Sequence, residues 1–145
     1  MFNVIYNFDD KLFIQKEGED LSINHVMDTY LDKLCLLSGT TLKGSINASK
    51  KLLPKTRKVP IYVACIDDYI IPLASPLSND CIWISANNYL TCYELNNKTY
   101  IKFKDRSIYE VAFSTFTIRM QYKKYLKLER ARKEMKYEYI VRKNK

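Results

Sequence analysis

The chain is poor in the residues that make a polypeptide flexible, with 3 glycines and 4 prolines among 145 residues. That scarcity argues against a linker, a low-complexity tail or a glycine-rich loop that cradles phosphates. No apolar run approaches the length of a membrane span, and residues 1–6 carry no basic group of the kind that begins a signal peptide. We therefore expect a soluble, unexported, cytoplasmic protein.

Residues typical of catalytic and metal sites are also scarce. The chain has one histidine, His25, and no cysteine pair at zinc-site spacing. Its four cysteines are widely spaced in apolar or strand-like contexts, which favours buried free thiols. The adjacent acids Asp67 and Asp68 would suit a metal-dependent nuclease, but between two strands such pairs are more often turn formers. We assign no catalytic residue, metal or cofactor and predict that the protein is not an enzyme.

What the chain does have is a strongly uneven distribution of charge. Residues 119–145 hold eleven Lys and Arg against three Asp and Glu, a balance of +8 that equals the net charge of the whole chain. Residues 1–118 are neutral as a whole, yet residues 43–58 contain six basic residues and no acid. Such a field attracts polyanions, because each neutralised phosphate releases counterions, and nucleic acid is the leading partner. The competing interpretation is a solvated helix with no ligand.

Hydrophobic periodicity predicts an α+β fold, in which an antiparallel sheet built from hairpins has flanking helices and a basic C-terminal helix. A first helix is expected over 24–37, ended by Ser38-Gly39, and a second from about 41 to 53, ended by Pro54. The predicted strands are 2–8, 11–15, 59–66, 69–73, 81–85, 89–95, 98–103 and 107–112. The turns between them are expected at Asp9-Asp10, Asp67-Asp68, Asn96-Asn97 and Asp105-Arg106.

The C-terminal helix shows the sharpest pattern, and Ser114 or Thr115 can cap its start. At about 100° per residue, one narrow sector holds Arg119, Lys123, Lys127 and Arg130. The apolar residues outside it are Ile118, Tyr122, Tyr125, Leu126 and Leu128. We expect the apolar side to dock on the sheet and the basic stripe to follow a sugar-phosphate backbone. Beyond Arg132 charges surround the helix, so the domain should span 1–132, with 133–145 a basic tail, a frayed helix end or an arm that orders on DNA.

Several short motifs follow one another in a fixed order between about residues 30 and 125. They are Cys35, Gly39-Thr40-Thr41 with Gly44, Lys58-Val59-Pro60-Ile61, Ile71-Pro72-Leu73-Ala74-Ser75, Ile82-Trp83-Ile84-Ser85 and Ser114-Thr115-Phe116. In this order and at these intervals they resemble the ComK family of bacterial competence transcription factors. The chain departs from the family where Gly44 is followed by Ser45-Ile46 rather than by a basic pair.

The resemblance implies a DNA-binding transcription activator of DNA-uptake and recombination genes. Family members bind paired A/T-rich boxes, largely through the minor groove, as oligomers whose dimers sit side by side on the DNA. The partners it implies are therefore A/T-rich double-stranded DNA, further copies of the chain on that DNA, and RNA polymerase, with no membrane. Narrow A/T tracts have an enhanced negative potential that attracts Arg and Lys.

The candidate DNA contacts are the basic residues of the two segments. They are Lys43, Lys50, Lys51, Lys55, Arg57, Lys58, Arg119, Lys123, Lys127 and Arg130. Lysines are expected to contact phosphates, while Arg57 or Arg119 is expected to enter a groove, because a guanidinium is less strongly hydrated than an ammonium.

Two other functions would use the same charge field. An RNA-binding or ribosome-associated protein would read single strands through exposed aromatics such as Trp83 or the 12 tyrosines. Tyrosines that alternate with Ile and Leu are, however, typical of a half-buried sheet. A degenerate family member that serves as a protein-interaction module would instead use its basic face to meet an acidic partner.

Overall fold

In the computed structural model of the chain, which describes residues 2–8, 11–23, 26–76 and 81–142, nine strands form two antiparallel sheets. The first sheet, in the order β3-β2-β1-β6-β5-β4, consists of β1 (Val4–Phe8), β2 (Lys11–Lys16), β3 (Glu19–Ile23), β4 (Ile61–Val63), β5 (Asp68–Pro72) and β6 (Trp83–Ser85). The second is the meander of β7 (Tyr89–Leu95), β8 (Lys98–Phe103) and β9 (Ile108–Val111).

Helices flank these sheets: α1 (Met27–Leu37), α2 (Leu42–Leu52) and α3 (Thr115–Lys136). The predicted α+β class and the basic C-terminal helix are thus confirmed. A π-helical turn, Tyr137–Val141, continues α3, so the chain passes Arg132 without a break. Residues 133–141 are helical rather than disordered, and the division of a domain from a tail at Arg132 stays a prediction.

The six-stranded sheet carries an apolar core on each face. On β1, Ile5 pairs with Ile14 and Trp83, and these side chains belong to the core that contains α1. The preceding residue, Val4, pairs with Ile84 in the core formed with α3 and the second sheet. Because successive strand residues point to opposite faces, this sheet is the middle layer, with α3 packed on one side of it.

The predicted turn at Asn96-Asn97 is confirmed. Asn96 and Asn97 both have positive φ, 53° and 63°, as a two-residue hairpin turn between β7 and β8 requires. Gly39, with φ 89°, follows the Ser38 cap that ends α1. The Asp9-Asp10 turn lies outside the described residues.

The prediction for residues 59–73 is wrong in two details. Only the three residues of β4 are extended, and a 3-10 turn, Ala64–Ile66, follows them. Asp67 takes the left-handed turn conformation, but Asp68 is the first residue of β5 and is 2% exposed. Its carboxylate accepts hydrogen bonds from the Ser85 hydroxyl and, at 3.0 Å, from the backbone N–H of Asn87. Asp68 is therefore a buried acceptor rather than a turn residue.

Other differences from the prediction are smaller. β3 was not predicted; it is a short edge strand in which only Ile23 is partly buried. The first helix begins at Met27, after the extended N-cap Val26, and residues 24 and 25 of the predicted helix, which include His25, lie outside the described residues. All four cysteines are free, as predicted, but Cys65 is exposed while the other three are buried. In the described part of the chain, no helix is long and apolar enough to cross a membrane.

Candidate nucleic-acid interface

One face of α3 is buried against the sheets. Ser114 caps the helix by accepting a hydrogen bond from the Thr117 N–H at 3.1 Å, as predicted for one of the two candidate caps. The buried residues recur at helical spacing and are Ile118, Gln121, Tyr125 and Leu128. Leu126, predicted on the apolar side, is 45% exposed, and the amide of Gln121 stands in the buried row instead. The polarity of Gln121 hid it from the hydrophobic pattern.

The four predicted cations of α3 all face outwards, and they are Arg119, Lys123, Lys127 and Arg130. The guanidinium of Arg119 donates a hydrogen bond to the Cys92 carbonyl at 3.4 Å, which directs this side chain towards β7. The exposed basic stripe expected from the sequence is therefore present, with one of its members engaged by the protein itself.

Residues 53–58 form a loop after α2, here called the basic loop, in which Lys55, Arg57 and Lys58 are exposed. α3 holds this loop through backbone carbonyls. The Lys124 ammonium donates to the Arg57 carbonyl at 2.8 Å, and the Gln121 amide donates to the Lys58 carbonyl at 2.8 Å. The two basic segments of the sequence thus contact one another.

Between the basic loop and α3 lies a cleft, here called the basic cleft. It is lined by Leu53, Lys55, Thr56, Arg57, Met120, Lys123, Lys124 and Lys127. Four of the ten candidate DNA contacts therefore come together here: Lys55, Arg57, Lys123 and Lys127. A fifth cation, Lys124, which is not among the candidate contacts, also lines the cleft. Burial, and to a lesser degree the nearby Lys58, lowers the pKa of the Lys124 ammonium.

The other six candidates lie outside the lining of the cleft. Three are exposed lysines of α2, and the remainder lie elsewhere on the basic loop and on α3. They are Lys43, Lys50, Lys51, Lys58, Arg119 and Arg130.

The candidate cations are not neutralised by carboxylates. Within the described ranges the ion pairs are Lys98–Glu110, Lys133–Glu129 and Arg142–Glu138, and none includes a candidate residue. Among the described residues that line the basic cleft, none is acidic. Cations that lack nearby acids produce a positive potential that attracts an approaching polyanion.

A larger groove, of about 790 Å³, lies further along α3 and has mixed charge. Its rim carries Arg132 and Lys133 but also Asp67 and Glu129. Because its lining contains both acids and bases, it lacks the single sign of charge that the basic cleft presents. The basic cleft is therefore the stronger candidate for a polyanion.

Aromatic side chains are largely committed to the core. Trp83 is 1% exposed, and the Tyr69 and Tyr125 rings pack against each other at 5.1 Å between centroids. None of the described residues that line the basic cleft is aromatic. Base stacking on Trp83, the mode expected of a single-strand binder, is therefore blocked by burial. No group of three His, Cys, Asp or Glu suited to a metal ion occurs in the parts of the chain that the structure describes.

Comparison with known proteins shows which family the chain resembles. The family model for the ComK protein matches residues 10–136, which is most of the chain. The chain belongs to the ComK family. This match confirms the motif resemblance found in the sequence. ComK proteins are competence transcription factors. Comparisons with curated proteins and with solved structures found no match.

The ComK-like motif around Gly44 has a structural role here. The Thr41 hydroxyl caps α2 by accepting from the Gly44 N–H at 2.9 Å, and a Cβ at Gly44 would lie 2.5 Å from the Thr40 hydroxyl oxygen. Ser45 is buried, with its hydroxyl 3.5 Å from the Cys35 sulfur. The position at which ComK proteins tend to begin a basic pair therefore offers no surface cation in this chain.

Proposed function

We propose that this protein activates competence genes by binding A/T-rich duplex DNA with the basic cleft and the cations around it. The observation that supports this proposal is the meeting of two separate basic segments at one cleft whose described lining contains no acid. Membership of the ComK family supports DNA as the polyanion, and it supports an intracellular site of action on the chromosome.

Within the cleft, the cations have different proposed roles. Lys55, Lys123 and Lys127 are exposed ammonium groups suited to phosphate contacts, which set affinity and register. Arg57 is the proposed minor-groove residue, because it is exposed in the lining of the cleft, while the guanidinium of Arg119 is hydrogen-bonded to Cys92. A weakly hydrated guanidinium is suited to the narrow, electronegative groove of an A/T tract.

The test is a titration of the protein into A/T-rich and into G/C-rich duplexes at two or more salt concentrations, with fluorescence anisotropy as the measure of binding. Paired Lys123→Gln and Lys127→Gln substitutions should weaken binding to every sequence and reduce the salt slope by about two, close to one per lost phosphate contact. Lys104→Gln is the matched control, since Lys104 is exposed in the turn after β8 and lies outside the cleft lining. An unchanged slope in the double variant would refute the assignment.

Substitution of Arg57 separates groove reading from charge. Arg57→Lys keeps the charge and should retain most of the affinity for G/C-rich duplex while lowering the preference for A/T-rich duplex by about tenfold. Equal losses on both duplexes would assign Arg57 to phosphate contact instead.

Family membership also motivates two partner proposals. We expect several copies of the chain to assemble side by side on DNA with paired A/T-rich boxes, and the DNA-bound chain to contact RNA polymerase. Mass measurement of complexes on one box and on two boxes tests the first, and recruitment of polymerase to the same DNA tests the second. Competition by single-stranded RNA that exceeds competition by A/T-rich duplex would favour the RNA-binding alternative.

A further inference from the structure

The basic loop has an unusual backbone for a segment without glycine. Lys55 has φ 63° and Lys58 has φ 51°, so two L-residues with Cβ atoms adopt the left-handed conformation within four positions. Such residues persist only where the surrounding structure holds them, and they concentrate at functional sites.

Gln121 on α3 is the principal restraint. It is 3% exposed in a row of otherwise apolar residues, and a buried amide is unfavourable unless it is hydrogen-bonded. Both donor contacts are made by its Nε2, to the Lys58 carbonyl at 2.8 Å and to the Pro72 carbonyl at 2.6 Å. Pro72 ends β5, an interior strand of the six-stranded sheet. One amide therefore joins the basic loop, the sheet and α3.

Lys124 supplies a second restraint three positions along the same helix. Its ammonium lies 2.8 Å from the Arg57 carbonyl, and burial lowers its pKa. This ammonium is therefore already engaged by the protein. Its neighbour Lys123 is exposed and has no ion-pair partner among the described residues. The two adjacent lysines thus face different environments.

We propose that Gln121 and Lys124 are positioning residues that fix the basic loop, so that Arg57 is presented to the minor groove in register with the phosphate contacts of α3. The proposal rests on the proposed function of the basic cleft. It divides the interface into lysines that set affinity and Arg57, held in place by Gln121 and Lys124, which sets discrimination. If Gln121 and Lys124 do not hold the basic loop, the loop keeps all its charges and still binds phosphates. It then loses the geometry that distinguishes A/T-rich from other duplexes.

Gln121→Met tests whether the Gln121 amide holds the basic loop, because methionine has nearly the same shape and no hydrogen-bond donor. We expect an unchanged salt slope, a loss of A/T-over-G/C preference of about tenfold, and faster amide exchange in the basic loop. Thr41→Ala is the matched control, since it removes a helix cap elsewhere and should keep the preference. Full preference in Gln121→Met would overturn the inference.

Lys124→Met and Lys123→Met form a second, independent pair, which also decides the matter if Gln121→Met does not fold. The Lys123 substitution should reduce the salt slope by about one, whereas the Lys124 substitution should leave the slope unchanged and lower the A/T preference. A slope reduced equally by both would make Lys124 a phosphate contact and overturn its positioning role. Absence of duplex binding by the wild-type chain would overturn the proposed function, and this inference with it.

Discussion

The guanidinium carbon of Arg132 lies 4.0 Å from the centroid of the Tyr62 ring, so the last third of α3 is joined to the edge strand β4 by a cation–π contact. The Tyr62 hydroxyl in turn donates to the Asp67 carboxylate at 2.6 Å. These two contacts fasten the charged end of α3 to the body of the domain, in a region where the sequence alone predicted a boundary.

Arg132→Ala should therefore lower the free energy of unfolding by about 1 kcal/mol, the usual contribution of a cation–π contact at a partly exposed site. Urea denaturation measures the change. Lys133→Ala is the control: its ion pair with Glu129 has a lysine side chain that is 75% exposed, so its loss should have an effect below about 0.5 kcal/mol. Equal destabilisation by the two variants would contradict a specific role for Arg132.

Asp68 predicts a pH dependence of stability. Burial raises the pKa of its carboxyl above the usual 3.8, although hydrogen bonds from Ser85 and Asn87 oppose the shift. A raised pKa means that the folded state binds the proton more tightly than the unfolded state, so this contribution is fully present below pH 3.8 and is lost as pH rises through the raised pKa.

Asp68→Asn removes that titration while its amide can still accept from the Asn87 N–H and pair with the Ser85 hydroxyl. We expect the wild-type chain to lose stability relative to Asp68→Asn as pH rises from 3.8 towards neutrality, as measured by urea unfolding at a series of pH values. Parallel stability curves for the two proteins would show that Asp68 does not titrate in this window.

The sequence predicted local structure well where a single segment carries the signal. The asparagines of the β7–β8 turn and the strand over residues 98–103 depend on neighbouring residues, and both appear as expected. β3 was not predicted, because this five-residue edge strand has only two apolar residues, Leu21 and Ile23, and so carries a weak signal. Asp68 was misassigned because its acceptor role depends on Ser85 and Asn87, which only the tertiary fold brings near.

The candidate site also combines features that one segment reveals with features that only the tertiary fold creates. Counting charges along the chain located both basic segments, but it gave no reason to place Arg57 beside Lys123 and Lys127 rather than elsewhere on the surface. Gln121 was missed entirely, since a single polar residue in a helix carries no periodic signal. Its role depends on two carbonyls that belong to distant segments.

The cap of α2 makes a further prediction about stability. Thr41→Ala removes the acceptor for the Gly44 N–H, leaves a helix-terminal donor without its partner and should cost about 1 kcal/mol of folding free energy. Thr41→Ser keeps the hydroxyl and should restore most of that stability in thermal or urea unfolding. A Thr41→Ser variant as unstable as Thr41→Ala would indicate that the methyl group, rather than the cap, is what matters.

The lysines of α2 determine how far the proposed interface extends beyond the cleft. Lys50 and Lys51 are exposed in the last turn of α2, directly before the basic loop, and neither forms an ion pair among the described residues. If DNA seated in the basic cleft also passes over α2, replacing both with Gln should weaken binding to all duplex sequences together and lower the salt slope by about one per lost contact. Anisotropy titrations over a range of salt concentrations measure that slope, with Lys104→Gln as the control for loss of a lysine charge elsewhere on the surface. A wild-type slope in this double variant, beside a reduced slope in the Lys123 and Lys127 variant, would confine the DNA to the cleft, since each phosphate contact contributes to the slope separately.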